Sequence, residues 1–309
     1  MVRGINKSKL FRDDQDRMRF LERLGKTIVE GECAVYAWVL MDNHAHILFK
    51  SGRDGISGVM RKLLTWYAVY FNRRHKRTGH LFENRYKSIL CDEETYLLAL
   101  VRYIHLNPVR AKIVRTLEEL DEYPWSGHRE IVGKASYPWM DTETVLSRFG
   151  DTRRKAIREY RSFVRAEIGK RRNPMLTGGG LVRSRGGWSQ VVSMRRKGRK
   201  EEADERILGS GEFVHEILKG AEERELRQLK FRQGGLSIDK VIEQECRARK
   251  VSEEELKRGG RRRKVSEARA AIARRSSEEL GVSGAEIARH LGVNTSSINR
   301  AIAKTDGKG

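Results

Sequence analysis

Asn43-His44-Ala45-His46-Ile47-Leu48 is the stretch of this 309-residue chain whose residue types and spacing speak most directly of chemistry. On a strand, side chains alternate between faces. His44 and His46 then project together, while Ala45, Ile47 and Phe49 form an apolar opposite side. Two imidazoles so placed can chelate one cation, although the pattern alone equally fits two partly exposed polar residues. Tyr103 and Asn107 change that weight. They stand four residues apart in a helix expected over 93–107 and so share a face, with Leu97, Val101 and Ile104 on another face to anchor the helix to a sheet. An amide oxygen can complete a cation's shell while a phenol one turn away meets a polarised phosphate. A phenol titrates near about 10, so it needs help as a nucleophile at neutral pH. A divalent ion on the phosphate makes phosphorus more electrophilic and stabilises the charge that develops. A zinc hydrolase wants three strong protein ligands. Two imidazoles and an amide are a weaker, harder set, better suited to Mg²⁺ or Mn²⁺. His80 and His105 lack ligand spacing, and His105 is expected on a different side of the helix from Tyr103.

These residues need a sheet with a helix laid on it. Asp13 to Val29 carries apolar residues at helical spacing; Cys33 to Met41 and Ala45 to Lys50 read as strands joined by a short connection. Val59 to Arg74 fits a helix, Arg85 to Cys91 a further strand, and Glu93 to Leu106 a helix that Pro108 stops. The order suggests an α+β unit over 1–133, an antiparallel sheet with helices packed on one face. Residues 134–170 read as a helical extension. Residues 171–235 read as a basic, Gly-rich linker with a charged helix, and residues 236–305 as a small all-α domain.

The chain holds 64 Lys and Arg against 42 Asp and Glu, a net charge of +22. Residues 1–150 have 25 basic against 19 acidic groups and residues 151–309 have 39 against 23, so the surplus grows from six to sixteen. Such an excess favours a polyanion, most commonly nucleic acid. Cys33, Cys91 and Cys246 are far apart, without metal spacing or a disulfide framework, which favours a reducing cytoplasm and, with DNA as partner, the nucleoid. The longest apolar run, Ala34 to Met41, is too short to span a bilayer, and no secretory signal opens the sequence.

Cations surround aromatics in the first domain. Arg73, Arg74, Lys76, Arg77, Arg85 and Lys87, with Arg61 and Lys62, accompany Trp66, Tyr67, Tyr70, Phe82 and Tyr86. Basic groups hold phosphates and aromatics stack unpaired bases, although Trp66 and Tyr70 also fit an ordinary core. Farther on, Ser283 to Ile302 reads as a helix-turn-helix. Ile287, Ala288 and Leu291 face inward, Gly292 makes the turn, Asn294 caps the second helix, and Ile298 and Ile302 pack back. Thr295, Ser296, Ser297, Asn299 and Arg300 are left to face a major groove of duplex DNA.

Residues 1–133 resemble the single-tyrosine HUH transposases of the insertion-sequence type, specifically the REP-associated tyrosine transposases. The likeness rests on Arg3-Gly4-Ile5-Asn6-Lys7, Phe11 to Arg17, Trp38 to Leu48, Gly79 to Lys87, Arg102 to Ala111 and Tyr123-Pro124-Trp125-Ser126, in that order. It implies a ferredoxin-like (RRM-like) sheet, His44 and His46 as paired metal ligands, Asn107 in the third ligand position and Tyr103 as nucleophile. It implies cutting and rejoining of single-stranded DNA through a 5′-phosphotyrosine, at extragenic palindromes that form hairpins. Arg3 and Lys7 join Arg73, Arg74, Lys76, Arg77, Arg85 and Lys87 as residues expected to hold that strand. Relatives include monomers and homodimers, so both states are expected. The likeness begins almost at Met1, so either the first strand is short or the true start lies upstream. Residues 236–304 also resemble the DNA-binding domain of the bacterial replication initiator, without its base-reading signature. The rival expectations are a DNA-binding regulator whose first domain is idle, and an RNA binder using the same type of sheet.

Overall fold

In this computed structural model the described residues are 1–52, 55–170, 207–258, 260 and 262–303, so most of the expected linker, residues 171–206, lies outside them. Two compact units emerge, Met1–His215 and Glu216–Gly309.

The first unit is built on the hairpin that carries the histidines. Strand β2 (Ala34–Met41) pairs antiparallel with β3 (His44–Lys50), with Met41 opposite His44, Val39 opposite His46 and Trp38 opposite Ile47. A short β1 (Val2–Arg3) adds to β3, giving the order β1-β3-β2. Helix α1 (Asp14–Glu30) starts at Asp13, whose carboxylate accepts from the Asp16 amide. It packs against α2 (Gly55–Arg74) through Phe11, Phe20 and Tyr67, whose rings meet within 5.0–5.7 Å. Each such buried aromatic or aliphatic side chain contributes roughly 1.5–3 kcal/mol.

The strand expected over 85–91 is a correction. Only β4 (Leu90–Cys91) is a strand, and it pairs in parallel with β5 (Ile207–Leu208). Residues 81–87 instead run beside residues 1–5. The amides of Ile5, Glu83 and Lys87 donate to the carbonyls of Leu81, Arg3 and Met1 at 3.0, 2.9 and 2.9 Å, and Gly4 bridges Phe82 antiparallel. Five residues on one side, Glu83 to Lys87, span only the three from Met1 to Arg3 on the other, so the segment bulges and no regular ladder forms. The opposite edge of the sheet is covered too. The Leu40 amide donates to Trp125 O, the Gly127 amide to Trp38 O and the Asp141 amide to Val35 O. Covered edges leave no exposed template for pairing.

Helix α3 (Glu93–His105) follows β4, and after it come the short helices α4 (Asn107–Arg110), α5 (Leu117–Glu122), α6 (His128–Ile131) and α7 (Glu143–Leu146), then α8 (Arg153–Arg165). The boundary expected at residue 133 does not divide the core. One apolar cluster runs from Val2 through Met140, Val145 and Tyr160 to Val164. Trp139 lies so close to α1 that a Cβ at Gly25 would sit 2.4 Å from its ring. The extension is therefore a wall of the first unit.

Helix α9 (Gly211–Gln233) runs across the division of the chain. The second unit continues with α10 (Ile238–Arg249), α11 (Glu253–Lys257), α12 (Arg263–Leu280), α13 (Gly284–His290) and α14 (Thr295–Ala303) around Val241, Leu256, Ile272, Ile287, Leu291 and Ile298. Gly292 turns the chain between the last two helices at φ +64°, a conformation that favours glycine. Asn294 caps α14 by accepting from the Ser297 amide at 3.1 Å.

Candidate active site

Alternation along β3 sends Ala45 into the core and His44 and His46 to the other face. Their rings stand 5.1 Å apart, nearly perpendicular. Asn43 Oδ1 lies 2.7 Å from His44 Nδ1. An amide oxygen can only accept, so Nδ1 donates, the orientation that a neutral ring needs to offer Nε2 to a metal. Trp38, opposite Ile47, marks the reverse face: it meets Trp139, which lies on α1. Helix α3 therefore covers the histidine face alone, and α1 with α2 the other.

Tyr103 comes from α3. Its ring lies edge-on to His46 at 6.2 Å within the same chain. The guanidinium of Arg110 stacks over the phenol ring at 4.9 Å and donates to Tyr103 O at 3.0 Å. The helix expected over 93–107 is shorter. It ends at His105, Leu106 is the C-cap, and Asn107 opens the next short helix with Pro108 behind it. Proline has no N–H to continue the ladder and crowds the preceding turn. Asn107, 7% exposed, donates its amide hydrogens to Tyr103 O and Ile104 O at 2.9 and 3.1 Å. Its Nδ2 is thus committed to the end of α3, and Oδ1 is the side-chain atom left to meet a cation. Among the described residues no group of three or more His, Cys, Asp or Glu could hold a metal ion. The two imidazoles on one face could serve as donors to a hard ion, with further oxygens brought by a phosphate.

The start of α3 is fastened to the sheet. Asp92 caps it through the Glu94 and Thr95 amides, while Tyr36 Oη and Lys50 Nζ each reach Glu93 at 3.0 Å. Salt-bridging to Lys50 holds the Glu93 carboxyl below its usual range against the opposing effect of burial, while burial and that carboxylate push the Tyr36 phenol up.

Behind α3 lies a buried polar chain that the sequence did not reveal. His105 Nδ1 is 2.8 Å from Tyr160 Oη, which is 2.9 Å from His128 Nδ1; His128 Nε2 is 2.8 Å from Asp121 Oδ1. Arg161 holds the other Asp121 oxygen at 2.7 Å. Burial lowers both histidines, His105 well below 6.5, with Asp121 opposing the effect on His128. Burial would raise the Asp121 carboxyl, but His128 and Arg161 outweigh it and leave it low. An ionised Asp121 accepts from His128 Nε2, so neutral His128 accepts the Tyr160 hydroxyl hydrogen at Nδ1. Tyr160 then accepts from His105 Nδ1. His105 is indeed turned away from Tyr103, and the signal that could have paired it with Tyr160 is faint: Ala156, Tyr160 and Val164 form one buried stripe on α8.

The cations expected on the nucleic acid divide. Arg3 sits opposite His44 in register, so both share a face; its guanidinium is 3.9 Å from Glu83. Lys7, Arg85 and Lys87 are exposed, the last two beside β1. Arg73, Arg74, Lys76 and Arg77 belong to the other face, at the end of α2. Arg73 is exposed in an open groove of about 520 Å³ lined by Trp66, Val69, Tyr70 and Arg74. Arg74 is held at 2.5–2.8 Å by Asp13 and by Asp16, which is wholly buried, and so ties α2 to α1. Its hydrogen bond lowers the Asp13 carboxyl to about 2. Trp66 and Tyr70 stack on each other at 5.6 Å, while Tyr67 is core. In the second unit Ser296, Ser297 and Arg300 are exposed and Thr295 and Asn299 half-buried. Asn299 packs toward α13, where a Cβ at Gly284 would collide with its amide oxygen.

Residues 1–107 match the family model described as transposase IS200 like. This segment is similar to the IS200-like transposases. It contains the β1-β3-β2 sheet, both histidines and Tyr103, and ends on Asn107. No curated protein and no solved structure matches the chain. Among the described residues no helix is long and apolar enough to cross a membrane.

Proposed function

We propose that the first unit is a metal-dependent, single-tyrosine DNA strand transferase that cuts and rejoins single-stranded DNA at hairpin-forming, extragenic palindromic sequences. The observation that carries this is the Tyr103 ring beside His46 on the face that His44 shares, within one chain. The likeness of residues 1–107 to IS200-like transposases supports it. So does residues 81–87 lying beside β1: counted as a fourth strand, they complete the order of a ferredoxin-like sheet.

In this reading the Tyr103 phenol oxygen attacks phosphorus and the bond to the 3′ oxygen breaks. A 5′-phosphotyrosine forms, and the phenol proton ends on the released 3′ hydroxyl, directly or through water. The reverse attack rejoins the strand without ATP. His44, His46 and the Asn107 amide oxygen would hold Mg²⁺ or Mn²⁺, which polarises the phosphate and screens its developing charge. Arg110 fixes the phenol ring by stacking, and Arg3 adds a cation to the face the strand must approach. The reading holds for a monomer and for a homodimer alike.

The second unit serves duplex DNA, with α13 and α14 as a helix-turn-helix and Ser296, Ser297 and Arg300 toward the groove. Tethering raises the local concentration of one target near the other.

Labelled single-stranded hairpins incubated with Mn²⁺ should yield a covalent protein–DNA adduct that chelator removes and Tyr103→Phe lowers at least about 10³-fold. Intact DNA with the wild-type chain would overturn the proposal. For the second unit, Arg300→Ala should weaken duplex binding and reduce the slope of log affinity against log salt by about 1 if it meets a phosphate; an unchanged slope removes that contact.

A further inference from the structure

We propose that Tyr160, acting through His105, is a positioning residue for Tyr103, so that the segment after residue 133 sets the aim of the tyrosine helix. The inference rests on Tyr103 being the nucleophile. The sheet end of α3 is fixed by Glu93 to Tyr36 and Lys50. Toward the other end Val101 and Ile104 pack into the core and Asn107 and Arg110 hold the last carbonyls, and the fine roll of the helix about its axis depends on side-chain grips as well. Successive residues turn by about 100°, so His105, two beyond Tyr103, lies nearly behind it. A grip on His105 therefore sets the roll that decides where the phenol points. A side chain reaching about 6 Å from the axis sweeps about 1 Å for each 10° of roll, and an error of that size costs on the order of 10²-fold in rate.

The grip is directional. Asp121 fixes the proton on His128 Nε2, His128 takes the Tyr160 hydroxyl hydrogen, and Tyr160 receives the His105 Nδ1 hydrogen, all within 2.8–2.9 Å. His105 Nε2 is buried with no hydrogen-bond partner. Tyr160 thus provides the ring's one hydrogen bond among the described residues. Arg102, one residue before Tyr103, repeats the anchorage: it stacks on Phe163 of α8 at 3.9 Å and donates to Phe163 O at 3.3 Å.

The test compares Tyr160→Phe with Tyr67→Phe. Both keep a buried ring and delete a bonded hydroxyl; that of Tyr67 donates to Leu10 O at 2.7 Å, on the side of the sheet away from the histidines. Single-turnover cleavage of saturating hairpin DNA is measured with the hairpin Kd. The ¹⁹F resonance of Tyr103 is followed in 3-fluorotyrosine-labelled protein, assigned by its loss in Tyr103→Phe. Y160F should cut about 10–100-fold more slowly with Kd within about twofold, and its Tyr103 resonance should shift or broaden; Y67F should alter neither. An unmoved Tyr103 resonance in Y160F, or an equal rate loss in Y67F, overturns the proposal. If the wild type fails to cleave, the cleavage reading fails, yet the resonance still decides whether Tyr160 aims the ring. Should Y160F not fold, His105→Asn, whose amide nitrogen can replace Nδ1, is to be set against His105→Leu. Recovery in the first but not the second supports the role, and equal loss in both sinks it.

Discussion

The two units solve the problem of folding charged sequence differently. In the first, polar groups go inside: Asp16, Thr27, His105, Asn107, Asp121, Ser126, His128 and Thr142 are all buried. Among the described residues of the second only Glu245 and Ser276 are, and its charges run mostly as helical pairs at the surface, such as Glu243 with Arg247, Glu254 with Arg258 and Arg263 with Glu267. Exposed pairs of this kind are worth little and are exchangeable. A buried network is costly unless every partner is placed, so it ties distant segments to one geometry. Under the proposed function, a unit that aims a phenol needs that fixity, whereas one that displays a basic helical surface does not.

The contrast can be attacked where it is largest. Asp16 is wholly buried between Arg74, His75 and the Arg12 amide. Asp16→Ala should destabilise the first unit by about 3–5 kcal/mol, read by hydrogen exchange resolved along the chain. In the second unit the comparable loss should come from apolar packing: Ile272→Ala, at a fully buried position, should cost about 2–4 kcal/mol. A Glu245→Ala penalty larger than this would blur the distinction.

Acid offers a gentler test. Folded His105 and His128 are held below the 6.5 of an unfolded histidine. The unfolded chain therefore binds more protons once pH falls below about 6.5. Stability is fully present above that value and is lost as pH drops beneath it. Melting of the first unit should move down between pH 7 and 5; Asp121, held low when folded, adds a further loss only below its unfolded value of 3.8. The second unit, with no buried histidine among its described residues, should shift less. The smallest effect concerns the capping box at α11, where Ser252 and Glu255 exchange side-chain and backbone bonds. Ser252→Ala should cost about 1 kcal/mol there, visible as faster exchange confined to α11.

What sequence reasoning could see follows the same division. The pairing of His44 with His46, the hairpin and the Asn294 cap depend on neighbours within a few positions, so alternation and cap chemistry expose them. Tyr103 needed the surrounding motif, because a lone helical tyrosine is usually packing. Arg85 to Cys91 misled because its bulge against Met1–Arg3 has no local signature. Arg74 looked like a phosphate ligand because nothing nearby announces Asp13 and Asp16, more than fifty residues earlier. His105 and Tyr160 are 55 residues apart, and only the folded core brings α8 behind α3.

The parallel pair of Leu90–Cys91 with Ile207–Leu208 makes the first unit a closed circuit. The Asp92 amide that begins the tyrosine helix donates to Leu208 O. Residues up to 170 and Ile207–Leu208 both belong to this unit. A protease cut between residues 170 and 207 would yield a nicked protein whose two pieces stay hydrogen-bonded at the root of the helix that carries Tyr103.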